Sequence, residues 1–480
     1  MPGDSITAGG VDHKVEPVQQ GITNWVLEIR NELNGVDEVE PVQQGSTNWA
    51  KEEWVVEIDQ LLRDGSTARK RYRYSEKRSI YKVPDLLKNL NNKAYEPQMV
   101  SFGPYHYGKE HLMPMEKRKH TMLLDFLQES GEPLESYFNA LAPVVQELKD
   151  FYDALEPRWH GDTSGFLKLM VLDGCFMLHI LDSESRHPFN GLYFLGNLET
   201  AGIKRDMLLL ENQLPMLVLL KIDQVRNGGE PREKFIQELV LESWGFWSRT
   251  PLRMGKCLHV LDLYRKTLIW DEQYVSDTGE FGQTFQFWSA IELTEAGIRL
   301  KPSFEIMQER ISFNADDGVL TLPRLEVDHA TESTFLNLIA FDGLHVGDLR
   351  GELTSFIYFL RQLIKSPRDV NVLISNRILV NNGIGSDEAI VQLFDSLSKE
   401  APILNPYTSK MIIVYYRIWY YRNKPQNRLR AYAAYLAHAY HESTNWSPLA
   451  YWSILAAILL FILSFLQTWY TLYPYYHPHK

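Results

Sequence analysis

Apolar residues recur at helical spacing along most of this 480-residue chain, from Ile80 to beyond residue 400. The pattern predicts helices over 115–129, 135–155, 165–182, 204–226, 232–247, 257–269, 286–295, 331–345, 352–365, 387–399 and 407–440. Pro215 falls inside the fourth of these; lacking an N–H, it either kinks that helix or opens a new helical turn. Strand-like pieces are confined to 99–102, 298–301, 306–313, 319–322 and 325–327. The last three, divided by Asp316-Asp317-Gly318 and a proline, suggest a small antiparallel hairpin. No clean linker interrupts the stretch. The expectation is a mainly α protein, with one large helical domain over 80–441 and a minor β-hairpin element.

The pattern changes at the far end. From Ser443 to His479 there is no Lys, Arg, Asp or Glu, and Leu449 to Leu472 is apolar on every face apart from Gln467. Such a run is long enough to cross a hydrocarbon core of roughly 30 Å. Trp446, Tyr451 and Trp452 gather at its start, and Trp469, Tyr470, Tyr473, Tyr475 and Tyr476 at its end, as in an interfacial aromatic belt. A single transmembrane helix with a short tail at 473–480 is expected, which makes the lipid bilayer a partner. The start of the chain has neither a basic n-region nor an apolar run, so no secretory signal is expected there, and the helix is expected to insert after translation as a tail anchor. Arg417, Arg422, Lys424, Arg428 and Arg430 precede the span and only Lys480 follows it, a bias toward a cytoplasmic bulk. The sequon Asn445-Trp446-Ser447 points the other way.

Before residue 80 the chain has another character. Residues 15–25, VEPVQQGITNW, recur at 39–49 as VEPVQQGSTNW, and WVLEI at 25–29 returns as WVVEI at 54–58. Each copy reads as a polar turn and a short helix that Asn24 or Asn48 can cap. The net charge of −12 is concentrated here, since residues 1–64 hold thirteen acidic side chains against four basic ones. Residues 1–70 therefore read as an acidic, duplicated, flexible arm, and the basic run about 71–79 as a solvated linker. An acidic chain with no broad basic face is not expected to bind nucleic acid. Two cysteines, Cys175 and Cys257, build no disulfide framework and suit a reducing compartment, although a single bridge between them stays open.

Candidate chemistry is sparse. No nucleophile elbow, zinc-protease helix, phosphate loop or calcium loop occurs. Residues 381–388, NNGIGSDE, read as a turn with Ser386 or Asp387 capping the next helix. His438 and His441 lie three apart without a ligand set around them, so neither a metal site nor a cofactor is expected. The informative groups are Asp173, inside the apolar FLKLMVLDGCFMLHIL, and Glu211, Asn212 and Gln213, inside RDMLLLENQLPMLVLLKI. A buried carboxylate must find donors or shift its pKa. Paired as general acid and base, Asp173 and Glu211 would make an enzyme. The alternative is that they cap and cross-link helices, with Arg205 or Lys204 as a partner. The second is the expectation, because no nucleophile or oxyanion loop accompanies them.

Those stretches belong to an ordered series: IYKVPDLL (80–87), AYEPQMVSFGPYHYG (94–108), MEKRK (115–119), FLKLMVLDGCFML, RDMLLLENQLP, HVLDLYR (259–265), AIELTEAGIRLK, TFLNLIAF (334–341), DVNVLISNRI (369–378) and the terminal apolar helix. The series resembles the plant DUF247 family, also grouped as UPF0481 proteins, over nearly the whole chain from residue 80. It departs from the family pattern at His106-Tyr107 and at Asp342-Gly343. The resemblance marks Pro84, Gly103, Pro104, Tyr105 and His106 as structural motif positions beside Asp173, Glu211, Asn212, Gln213 and Pro215. It implies a membrane-attached plant protein with no established enzymatic activity. Some grass members are linked to the pollen side of gametophytic self-incompatibility. The expectation is therefore a non-enzymatic recognition or signalling module with an unidentified protein partner, a self-incompatibility determinant or a paralogue. An adaptor for membrane traffic is a further alternative.

Overall fold

The chain divides into two units, Met1–Lys70 and Arg71–Lys480. The computed structural model describes residues 78–186, 197–246, 254–269, 287–303, 311–345, 351–400, 411–429, 431–433 and 448–476, all in the second unit. The acidic arm with its duplication, most of the basic linker, residues 306–310, His438, His441, the Asn445 sequon and the last four residues lie outside the described residues.

Helices dominate. They are α1 (Asp85–Lys88), α2 (Asn92–Tyr95), α3 (Met113–Ser130), α4 (Leu134–Leu141), α5 (Val145–Asp150), α6 (Pro157–Gly161), α7 (Thr163–Arg186), α8 (Asn197–Asp206), α9 (Met216–Asn227), α10 (Glu233–Ser243), α11 (Val260–Ile269) and α12 (Ala290–Glu295). After the strands come α13 (Thr331–Leu344), α14 (Glu352–Leu363), α15 (Pro367–Ser375), α16 (Asp387–Glu400), α17 (Met411–Arg422) and α18 (Pro448–Tyr476). α7 is the axis of the first half and packs against α3, α9 and α10. It approaches α9 closely at Gly174, where a Cβ would lie 2.4 Å from the Ile222 Cδ1 and 2.8 Å from the Val218 Cγ1. The second half gathers around α13, buried along nearly its whole length, with α14 and α16 against it.

Three of the expected helices are broken. The one expected over 407–440 is interrupted at 423–424, just before Pro425. The one expected over 135–155 stops at Leu141, because Pro143 lacks the N–H that an α-turn needs, and it resumes as α5. The one expected over 204–226 ends at Asp206; a loop follows to Pro215, which sits at the N-cap of α9. The strands also differ in part. β2 (Ser312–Asn314) and β3 (Val319–Pro323) form the expected antiparallel pair across the Asp-Asp-Gly turn, and β1 (Arg299–Ser303) adds parallel to β3. β4 (Leu325–Val327) leaves that sheet and pairs parallel with β5 (Leu379–Asn381). Residues 99–102 form no strand at all, for a reason that lies in the site described next.

Two apolar helices contrast in burial. Among the described residues, Thr163–Ser183 is the helix long and apolar enough to cross a membrane by length and composition, and 72% of it is buried inside the domain. α18 is 29 residues long, and its apolar run is Leu455–Thr471. Every side chain placed between Trp452 and Thr471 is exposed. Cys175 and Cys257 are both free and buried, and burial pushes both thiols up in pKa.

Candidate functional site

The segment 98–103 has no partner strand and bends at Gln98, Met99 and Gly103, so its N–H groups need other acceptors. Side chains supply them. The Asp206 Oδ2 accepts from the N–H groups of Gln98, Met99 and Val100 at 2.9, 2.6 and 3.0 Å. The Asn212 Oδ1 accepts from the Phe102 N–H at 2.7 Å, while its Nδ2 donates back to the Val100 carbonyl at 3.0 Å. The Asp173 Oδ2 accepts from the Gly103 N–H at 2.8 Å. Two carboxylates and one amide thus do the work of a neighbouring strand. Burial raises the Asp206 carboxyl, and the Met99 and Val100 N–H groups resist the rise.

Asp173 is held from its other side by Lys119. This lysine is fully buried: its Nζ lies 2.6 Å from the Asp173 Oδ1 and 2.6 Å from the Glu116 Oε1, and it donates to the Ser101 carbonyl at 2.5 Å. All three ammonium protons have an acceptor, and the Ser101 hydroxyl donates to Glu116 at 2.7 Å. Burial raises the Asp173 carboxyl above the usual carboxylate range, and Lys119 opposes the rise.

The loop after α8 is the hub of the network. The Glu211 Oε1 accepts from the Val83 N–H and from the Lys88 Nζ, both at 2.7 Å. Its Oε2 lies 3.4 Å from the His106 Nε2, too long for a good hydrogen bond, and among the described residues neither His106 ring nitrogen has a hydrogen-bond partner. Burial lowers the His106 pKa, so Lys88 is the cation that balances Glu211. Burial alone would raise the Glu211 carboxyl; His106, Lys88 and the Val83 N–H outweigh it and bring the pKa down. The Gln213 amide donates to the Met207 and Leu209 carbonyls at 2.6 and 2.7 Å and accepts from the Leu261 N–H at 3.1 Å. Tyr152 donates to the Gln213 carbonyl at 3.0 Å. Gly103, at φ +70°, passes so close that a Cβ there would lie 2.8 Å from the Tyr152 hydroxyl and 2.9 Å from that carbonyl.

A second polar cluster ties α11 to the later helices. The Asp262 N–H donates to the His259 Nδ1 at 3.1 Å, which leaves the proton on Nε2, 3.0 Å from the Ser79 carbonyl. Burial holds His259 down to about 4. The Arg265 guanidinium meets Asp342 at 3.2 Å, and the Thr354 hydroxyl donates to the same carboxylate at 3.0 Å.

The motif candidates therefore converge. Gly103, Asp173, Asn212 and Gln213 are joined by the contacts above, His106 lies against Glu211, and the buried Pro104 connects the two. Tyr105 reaches out of this group to the Asp153 carbonyl. Pro84 caps α1, beside the Val83 N–H that Glu211 holds, and Pro215 caps α9. Asp173 and Glu211 do not pair with each other; each has its own lysine. Nor is either partnered by the expected Arg205 or Lys204. Arg205 pairs with Asp206 at 2.7 Å, and Lys204 lies over the Trp244 ring. Lys119 escaped the sequence reading although a signal was present. Met115, Lys119, Met122 and Phe126 share one stripe of α3, so the lysine occupies an apolar position, three residues after its partner Glu116.

Residues 381–388 form the expected turn: the Asn381 side chain accepts from the Gly383 and Ile384 N–H groups, and Ser386 accepts from Ala389 at the start of α16. One open cleft of about 670 Å³ lies between the three-stranded sheet and α17, lined by Lys301, Asn314, Asp316, Asp317 and Arg417 among others. It contains none of the buried network. Among the described residues no cluster of His, Cys, Asp and Glu has the arrangement of a metal site.

The profile of the family DUF247, described as plant protein of unknown function, matches residues 80–463. The chain is 26% identical to UPF0481 protein At3g47200 of Arabidopsis thaliana, over 84% of this chain and 87% of that one. It is 22% identical to a second Arabidopsis thaliana UPF0481 protein, At3g02645, over 67% of this chain and 78% of that one. No solved structure matches.

Proposed function

This chain belongs to the DUF247 family of plant proteins, and from that premise we propose that it is a non-enzymatic interaction module anchored to a membrane through α18. The observation that carries the reading is the contrast between its two longest apolar helices. α7 satisfies its apolar side chains within the domain, whereas α18 presents Ile458, Leu460, Phe461, Phe465 and Trp469 outward, uncovered by any of the described residues. Burying each such side chain is worth roughly 1.5–3 kcal/mol, so the stretch as a whole strongly favours a hydrocarbon environment. Arg428 and Arg430, within about 20 residues of the span, favour a cytoplasmic domain.

The non-enzymatic half rests on the use of the buried charges. Asp173, Glu116, Asp206 and Glu211 are committed to lysines and backbone N–H groups, and a carboxylate holding up its own main chain is poorly placed to shuttle protons. Recognition or signalling through a protein partner, as a self-incompatibility determinant or a paralogue, fits a domain of this kind on a tether. The anchor is tested by flotation and alkaline carbonate extraction of the full chain from plant microsomes. Retention in the membrane is expected, and release into the wash would overturn it. Recognition is tested by allelic sequences: diversity clustered on one exposed face is expected, and uniformity would count against it.

A further inference from the structure

Resting on the anchored reading, we infer that the outer face of α17 and of the helical residues after it is a docking surface for anionic lipid headgroups. α17 is fixed from within. Met411, Ile412, Val414, Tyr415 and Ile418 face the core, the Arg422 guanidinium donates to the Glu292 carbonyl at 2.6 Å and lies over Trp288, and Tyr421 meets Phe313 edge-on. The face left outside carries Tyr416, Arg417 and Tyr420, followed by Arg428, Leu429 and Tyr432, all exposed. Lys424 leans over the Tyr420 and Tyr421 rings, joining the two groups.

The charge on this stretch, like that of the basic run about 71–79, opposes the acidic balance of the whole chain. From Ala401 to His441 there is no Asp or Glu, and six basic residues stand there, in a protein of net charge −12. Amphipathic tyrosines interleaved with arginines suit the headgroup depth of a bilayer, where the rings partition and the cations meet phosphate and carboxylate groups. The face also leads into the anchor. Residues 433 and 448 are joined by a stretch that spans at most about 50 Å when extended, so α18 keeps the face close to its own membrane. The neighbouring cleft is a poorer anion site, since Asp316 and Asp317 line it together with Lys301 and Arg417. A headgroup surface thus fits this face better than a single soluble anion.

The test uses the full chain with Gln426→Cys carrying an environment-sensitive dye. Gln426 is exposed, and Cys175 and Cys257 are buried, so the introduced thiol is the one that reacts. The chain is mixed with vesicles of phosphatidylcholine alone, or of phosphatidylcholine with phosphatidylserine, and read by flotation and by dye emission. The expected result is flotation with both vesicles and a blue shift only where phosphatidylserine is present. Arg417→Glu with Arg428→Glu should remove the shift and leave flotation intact, each lost cation weakening docking about fivefold. Flotation with both vesicles and no shift, or an equal shift in each, overturns the docking surface and leaves the anchor standing. Flotation that needs phosphatidylserine and is lost in high salt overturns the anchor and supports the surface. No flotation with either overturns both.

Discussion

The Lys119 ammonium and the Asp173 carboxylate meet at 2.6 Å with neither side chain exposed to solvent. A lysine so deep in the fold is stable only because Glu116, Asp173 and the Ser101 carbonyl take up its three protons. Removing it strands two carboxylates. Lys119→Met should lose about 3–5 kcal/mol, read from the urea midpoint. The exposed Lys117 of the same helix is the control, and its replacement by Met should change stability by less than about 0.5 kcal/mol. Equal effects would mean that the triad does not hold the fold.

Asp206→Ala releases three main-chain donors at once. Each buried N–H left without an acceptor costs about 1–3 kcal/mol, and the cost falls on one short segment. Hydrogen exchange at Gln98, Met99 and Val100 should accelerate well before that of α7 or α13. Protection unchanged at these three residues would show that they find acceptors elsewhere.

The same segment shows what could be read from sequence and what could not. Residues 99–102 read as a strand, but the segment bends and the N–H groups of 98–100 converge on one carboxylate oxygen; their acceptors lie more than a hundred residues away, on side chains that local pattern cannot pair. The burial of Asp173 and Glu211 was legible from the apolar runs around them, but the identities of Lys119 and Lys88 depend on how α3 and α1 pack. β4 was legible as a strand, yet its partner β5 stands some fifty residues on, and three-residue strands carry little register information. α15 had a local signal that was missed: Ser366-Pro367-Arg368-Asp369 is a capping box with proline at the first helical turn.

Two glycines separate strain from contact. Gly103 and Gly108 both have positive φ, +70° and +86°, but a Cβ at Gly108 meets nothing within 4 Å, whereas one at Gly103 presses on Tyr152 and a carbonyl. Gly108→Ala should cost about 1–2 kcal/mol for the left-handed backbone alone. Gly103→Ala should cost roughly 3 kcal/mol or more, because it adds a clash and breaks the hydrogen bond from Tyr152 to Gln213. Matching melting temperatures for the two variants would refute the close approach.

His259 makes stability depend on pH, with a sign that follows from its setting. Its folded pKa of about 4 lies below the ordinary value of 6.5. Above about pH 6.5 both folded and unfolded chains hold it neutral. Between about pH 6.5 and 4 the unfolded chain takes up a proton that the folded chain refuses, so its contribution to stability is lost as pH falls through that window. The full loss is up to about 3 kcal/mol. Asp173 acts in the opposite sense: its folded pKa is raised to about 6, so the folded chain binds the extra proton as pH falls from about 6 toward 4. The two partly cancel, and a variant is needed to separate them. His259→Gln keeps an acceptor for the Asp262 N–H and a donor for the Ser79 carbonyl, but it cannot be protonated. Urea midpoints of the full chain at about pH 7 and about pH 5 should differ less favourably for the native protein than for His259→Gln. Identical pH slopes for the two would mean that His259 titrates alike in the folded and unfolded chains.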